Sequence, residues 1–110
     1  MFSVLMSVYA KENPQYLDEA LRSIVSQTMQ SDDIVIIMDG ELTDDLYGII
    51  NRYSNDYNAV HPYQLEQNVQ LGRALRYGVT KCKNNLVARM DSDDISLPDR
   101  FEKQYNYMIE

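Results

Sequence analysis

The apolar positions of this 110-residue chain switch repeatedly between two spacings. Phe2 to Tyr9 is an apolar run rich in β-formers, which reads as a strand buried on both faces. Asn13-Pro14 then supplies an N-cap with proline at the first helical position. Leu17, Ala20, Leu21, Ile24, Val25 and Thr28 follow at steps of three and four, one face of a helix. Ile34 to Met38 is a second buried strand, and it stops at Asp39-Gly40. Thr43 is placed to cap a second helix carrying Leu46, Ile49, Ile50 and Tyr53 on one side. Val60 to Leu65 is a weaker third strand, and His61-Pro62 assigns it to an edge. Leu71, Ala74, Leu75, Gly78, Val79 and Cys82 make a third helical stripe. Leu86 to Met90 is a fourth strand running straight into Asp91-Ser92-Asp93-Asp94. Pro98 opens a last helix through Phe101, Tyr105 and Met108.

The order is β-α-β-α-β-α-β-α, with no repeat, linker or low-complexity stretch. Such alternation predicts an α/β, Rossmann-like domain over residues 1–110. Its sheet should be parallel, its crossovers right-handed and its helices on both faces. Ligands of such sheets sit beyond the carboxyl ends of the strands, where the strand order reverses. Acidic residues fall at two of those ends, after the second and fourth strands.

Charge narrows the ligand. Ten basic against seventeen acidic residues leave a net −7, which excludes a non-specific nucleic-acid binder. A nucleotide remains compatible, because a divalent cation bridges carboxylates to phosphates. The single cysteine, Cys82, excludes an internal disulfide and reads as a small packing residue. The apolar start is too short to span a bilayer and lacks a basic leader. A cytosolic domain is expected, any contact with the inner face of the membrane being left to regions outside these residues.

Three carboxylates within four residues, Asp91, Asp93 and Asp94, repel one another. A hard divalent cation is the common reason to keep them together, and a solvated acidic turn is the plainer alternative. Asp39 can accept hydrogen bonds from a base or ribose, with Gly40 beside it permitting a sharp turn and close approach of a ligand. An ordinary turn aspartate is the competing reading. Asn68, Gly72 and Arg73 open the third helix, where anions are favoured; a solvent-exposed arginine explains Arg73 equally well. His61 reads as structural. The nine tyrosines read mostly as helix-face packing, with Tyr9 the exception at a strand end facing the site.

In their order these motifs resemble family 2 glycosyltransferases over essentially the whole chain. Phe2 to Tyr9 and Tyr16-Leu17 through Ser26-Gln27-Thr28 resemble the opening of that family. Ile34 to Gly40 resembles its second strand, and Asn68 to Leu75 its N-x-G-L-x-x-A-L helix start. Val87 to Phe101 resembles its DxD block, in the form of the bacterial capsule and exopolysaccharide branch. The resemblance implies a GT-A fold, a nucleoside-diphosphate sugar donor (UDP-linked in the usual case), a saccharide acceptor, and Mn²⁺ or Mg²⁺ at the DxD.

It further implies that Val8 and Tyr9 line the nucleoside pocket, with Ser92 among the nucleotide contacts. Asp39 would bind uracil, Arg73 would lie near the nucleotide, Asp91 would meet ribose or metal-bound water, and Asp93 would ligate the metal. The family inverts the anomeric centre. Its catalytic base is expected beyond Glu110, so residues 1–110 would be the nucleotide-sugar-binding half, inactive alone. Where members often carry two aspartates before the glycine, this chain has Met38 then Asp39. A catalytically inactive nucleotide-binding module is the alternative. A phospho-acceptor signalling domain would need an acidic pair after the first strand, where Tyr9-Ala10-Lys11 stands.

Overall fold

Eight elements alternate along the chain in this computed structural model, which describes residues 1–109. They are β1 (Ser3–Val8), α1 (Pro14–Val25), β2 (Asp33–Met38), α2 (Asp44–Asp56), β3 (Val60–Gln64), α3 (Leu71–Lys81), β4 (Val87–Asp91) and α4 (Arg100–Ile109). The sheet is wholly parallel, in the order β3-β2-β1-β4. The expected α/β architecture is present, and the strand order reverses between β1 and β4.

The capping residues act as their chemistry requires. Asn13 Oδ1 accepts from the amides of Gln15 and Tyr16, and Thr43 Oγ1 accepts from that of Leu46. Helix α1 ends at Val25 rather than continuing to Thr28, whose amide instead donates to Pro98 O at 2.7 Å. The last helix starts at Arg100, because the chain turns at Pro98 and Asp99 first.

One chirality rule explains the two layers. The connections β1-α1-β2 and β2-α2-β3 step across the sheet in one direction, while β3-α3-β4 steps back past β1. Right-handed crossovers in opposite directions must lie on opposite faces. Leu17, Leu21, Ile24, Leu46, Ile50 and Phe101 accordingly pack with Val4, Met6, Val8 and Ile36 on one face. Among the described residues helix α3 stands alone on the other, over Leu5, Val35 and Ile37. There Ala74 and Gly78 are buried, but Leu71 and Val79 are exposed, so the third apolar stripe is narrower than its spacing implied. A lone helix has no neighbour to cover its flanks. Cys82 lies at its end, half-buried against the same cluster, and burial pushes its thiol above the ordinary value.

The two outer strands differ from the inner pair. Leu65 N–H donates to Met38 O, so the odd-numbered residues of β3 bond to β2. By alternation Pro62 turns its missing amide to the open side, the edge position its presence predicted. On the other border β4 has no partner beyond it among the described residues. Arg89 and Asp91 are exposed and Val87 and Ala88 half-buried, where a strand covered on both faces was expected. An apolar groove of about 510 Å³ runs along it, lined by Phe2, Leu86, Ala88, Phe101 and Tyr105 among others. Five of the nine tyrosines, Tyr9, Tyr16, Tyr57, Tyr77 and Tyr107, lie at the surface. Tyr9 was the expected exception, so half of the eight read as helix-face packing are instead exposed, because their rings fall outside the narrow buried stripes. The side chain of Met108, read onto the face of α4, lies outside the described residues.

A polar clasp joins β1, β2 and β3 to the loop before β4 at the amino end of the sheet. Buried Asp33 accepts from Ser3 Oγ at 2.7 Å and from the Lys83 amide at 2.8 Å, and its Oδ1 lies 2.9 Å from His61 Nδ1. Burial alone would raise its carboxyl, but these hydrogen bonds outweigh burial and hold it below the usual range. His61 is structural here, as its place in the sequence suggested.

Candidate functional site

At the opposite, carboxyl end of the sheet a cleft of about 750 Å³ opens between β1, β4 and the start of α3. Its lining includes Ser7, Tyr9, Asp39, Asn68, Gln70 and Leu71, together with Arg89 and the Asp91–Asp94 turn. Strand alternation selects these residues. Ser7 is in register with Asp91 and Leu5 with Arg89, so these four side chains share one face. Val8 points the other way. It is fully buried against the α1–α2 layer and does not line the cleft, contrary to the expectation. Its carbonyl still accepts the Asp39 amide at 2.8 Å, which fixes that residue from behind.

Helical periodicity makes a similar selection on α3. Leu71 and Leu75, four apart, face the cleft, and Arg73 between them is turned outward. Arg73 is exposed and does not line the cleft; the cation that does is Arg89, which the sequence reading passed over. Its signal was available: Arg89 lies two residues before Asp91 on a strand, hence on the same face.

Asp39 is nearly fully buried, and its Oδ1 accepts the Val69 amide at 2.7 Å. Gly40 next to it has φ of 88°, and a Cβ there would lie 2.8 Å from the Asn68 backbone nitrogen. Glycine is therefore needed for the turn and for the close approach of the 65–70 loop, the neighbour being protein backbone rather than a ligand. Gln70 takes φ 71° and ψ 161°, a region almost reserved for glycine, and leaves the first amides of α3 without a side-chain cap beside the cleft.

The acidic segment forms a β-turn, with Asp94 N–H donating to Asp91 O at 3.1 Å. Ser92 and Asp93 occupy its corners. Ser92 is buried and its hydroxyl donates to Glu12 Oε2, another contact absent from the sequence reading. Asp94 lies 3.6 Å from Arg100. A turn fans successive side chains apart, so three carboxylates adjacent in sequence do not converge. Among the described residues no three acidic, histidine or cysteine side chains are gathered to hold a metal ion. Asp91 and Asp93 both line the cleft, and a cation that draws its remaining ligands from a phosphate, as Mg²⁺ commonly does, needs only one or two carboxylates from the protein. Gln27 steadies the stretch between this turn and α4: its Nε2 donates to Leu97 O at 2.7 Å and its Oε1 accepts the Phe101 amide at 2.9 Å.

The model of the family described as Glycosyl transferase family 2 matches residues 3–110. The chain belongs to that family. Among similar proteins is the amylovoran biosynthesis glycosyltransferase AmsE of Erwinia amylovora, 47% identical over 98% of this chain and 40% of that protein. Another is the UDP-Gal:alpha-D-GlcNAc-diphosphoundecaprenol beta-1,3-galactosyltransferase of Escherichia coli, 42% identical over 97% of this chain and 38% of that protein. The chain thus spans about two fifths of the length of these relatives. Among solved structures, S. aureus TarS 1–349 in complex with UDP superposes with a TM-score of 0.83 at 25% identity, over 98% of this chain and 32% of that one. The GT-A fold expected from the family 2 resemblance is the fold observed. Among the described residues no helix is long and apolar enough to cross a membrane.

Proposed function

We propose that these residues form the donor-binding half of a glycosyltransferase that moves a sugar from a UDP-linked donor to a saccharide acceptor in polysaccharide synthesis. The observation that carries this reading is the charge of the cleft. Asp39, Asp91, Asp93 and Asp94 line it against the one guanidinium of Arg89. A diphosphate would be repelled from such a surface unless a divalent cation entered with it. The names of the two relatives and the UDP complex of TarS support the same donor class and pathway type.

Asp93, with Asp91, would hold Mn²⁺ or Mg²⁺, which when bound offsets the charge of the departing diphosphate. Asp39 accepts the uracil ring N–H through the oxygen that Val69 leaves free. Tyr9 flanks the nucleoside, Ser92 holds the turn in place, and the uncapped amides of α3 face the cleft where an anion is favoured. In the transfer, the acceptor oxygen bonds to the anomeric carbon as the bond to the diphosphate oxygen breaks, with inversion. The acceptor proton passes to a carboxylate base outside these residues. Titration calorimetry of UDP with and without Mn²⁺ tests the reading. Mn²⁺ should strengthen binding, Asp93→Asn should abolish the strengthening, and Asp91→Asn should reduce it less. Equal UDP affinity in EDTA would overturn the role given to the metal.

A further inference from the structure

We propose that Glu12 is a positioning residue for the Asp91–Asp94 turn, a role that rests on the cation function proposed above. Glu12 lies eighty residues from Ser92 in sequence, in the loop between β1 and α1, yet its hydrogen bonds join the end of β1, the start of α1 and the Asp91–Asp94 turn. Its amide donates to Tyr9 O at 3.1 Å, closing a turn directly after the strand. Oε1 accepts the amide of Asn13, the cap of α1, at 3.0 Å. Oε2 accepts the hydroxyl of Ser92, which is itself more than nine-tenths buried.

Ser92 separates Asp91 from Asp93 at a corner of their turn. A corner held through its side chain cannot rotate, and the carboxylates on either side keep their directions. The hydroxyl hydrogen is engaged by Glu12, so Ser92 does not offer it to a ligand. A carboxylate acceptor makes a stronger bond than a neutral one, which suits a contact that must hold next to a mobile, charged ligand. Groups that orient metal ligands without touching the metal commonly change its affinity by about tenfold or more when removed.

The test follows Mn²⁺ by paramagnetic broadening of the amide resonances of residues 91–94 in the presence of UDP. In Glu12→Ala the half-saturating Mn²⁺ concentration should rise roughly tenfold. Glu12→Gln should rise much less, because its amide oxygen still accepts from Ser92. Ser92→Ala cuts the same bond without disturbing the start of α1, and in the double variant the two effects should not add. A role confined to stability would lower the melting temperature while leaving the Mn²⁺ midpoint of the folded variants in place, and that result overturns the proposal. Absence of any Mn²⁺ response in the unsubstituted chain would sink the metal reading instead. The positioning role is then judged by hydrogen exchange at the Asp94 amide. Faster exchange in Ser92→Ala and Glu12→Ala supports it, and unchanged exchange overturns it.

Discussion

With Oδ1 of Asp39 holding the Val69 amide, only Oδ2 is left to meet a base in the cleft. This division makes a sharp prediction at the scale of one residue. In Asp39→Asn the amide oxygen can keep Val69 while the NH₂ turns to the ligand, replacing an acceptor with a donor. Uracil offers N–H at its ring nitrogen and cytosine a lone pair. UDP affinity should therefore fall by about 1–3 kcal/mol, roughly tenfold to over a hundredfold, while CDP binding strengthens. Calorimetry with both nucleotides measures it, and an unchanged UDP-to-CDP ratio would refute the contact. The places of Asp39 and Asp91 beside the cleft were legible in the sequence because one directly follows a strand and the other ends one, with Asp93 two residues further on. Arg89 and Glu12 were not: one needed the face of an edge strand, the other a contact spanning eighty residues.

Element α3 fits tightly against the sheet and is entered through a left-handed residue, Gln70. A Cβ on Gly78 would fall well inside contact with Leu5 Cδ1 and 2.9 Å from Ile37 Cγ1, and both of those side chains are fully buried. Gly78→Ala should destabilise the fold by about 1 kcal/mol, overpacking outweighing the gain in helix propensity. Gly48, on α2, has nothing within 4 Å of such a Cβ, so Gly48→Ala should instead stabilise by about 0.5–1 kcal/mol. Urea denaturation of the pair checks both signs, and a stabilised Gly78→Ala would show that α3 rides higher than described. The existence of α3 was readable from its spacing. The width of its buried stripe was not, since that depends on how many helices share its face. The same ignorance of neighbours explains why Val8, given a pocket role by the family resemblance, and Arg73, placed near the nucleotide at the helix start, are absent from the lining of the cleft.

Across the whole molecule the two ends of the sheet differ, with a polar clasp at the amino end and the candidate site at the carboxyl end. Asp33 of β2 holds β1, β3 and the loop before β4, and its folded-state carboxyl is held below the ordinary value. A group with a depressed folded pKa stabilises above its unfolded pKa and loses that contribution as pH falls through the folded one. Stability should therefore decline as pH drops below about 4. Lys83 also holds the more exposed Asp32 below its usual value, which adds little to this decline. Asp33→Asn should be less stable at neutral pH and lose less between pH 5 and 3. Urea midpoints at both values measure this, and equal losses in the two proteins would place the acid sensitivity elsewhere. The alternation of strands and helices predicted the α/β class without structure. The order β3-β2-β1-β4 could not be read, since it depends on pairing between segments far apart in sequence.

Pro62 has a consequence for architecture. A strand approaching β3 from outside would meet a ring where an amide hydrogen should be offered. The other border, Val87–Asp91, presents ordinary backbone amides and carbonyls. The sheet therefore has a direction of growth, closed behind β3 and open in front of β4. Any further strand joining it would be laid against the turn that carries Asp91 and Asp93. A second layer of protein added there would form a far wall for the cleft, so the border open to another strand is also the one from which the cleft can be enclosed.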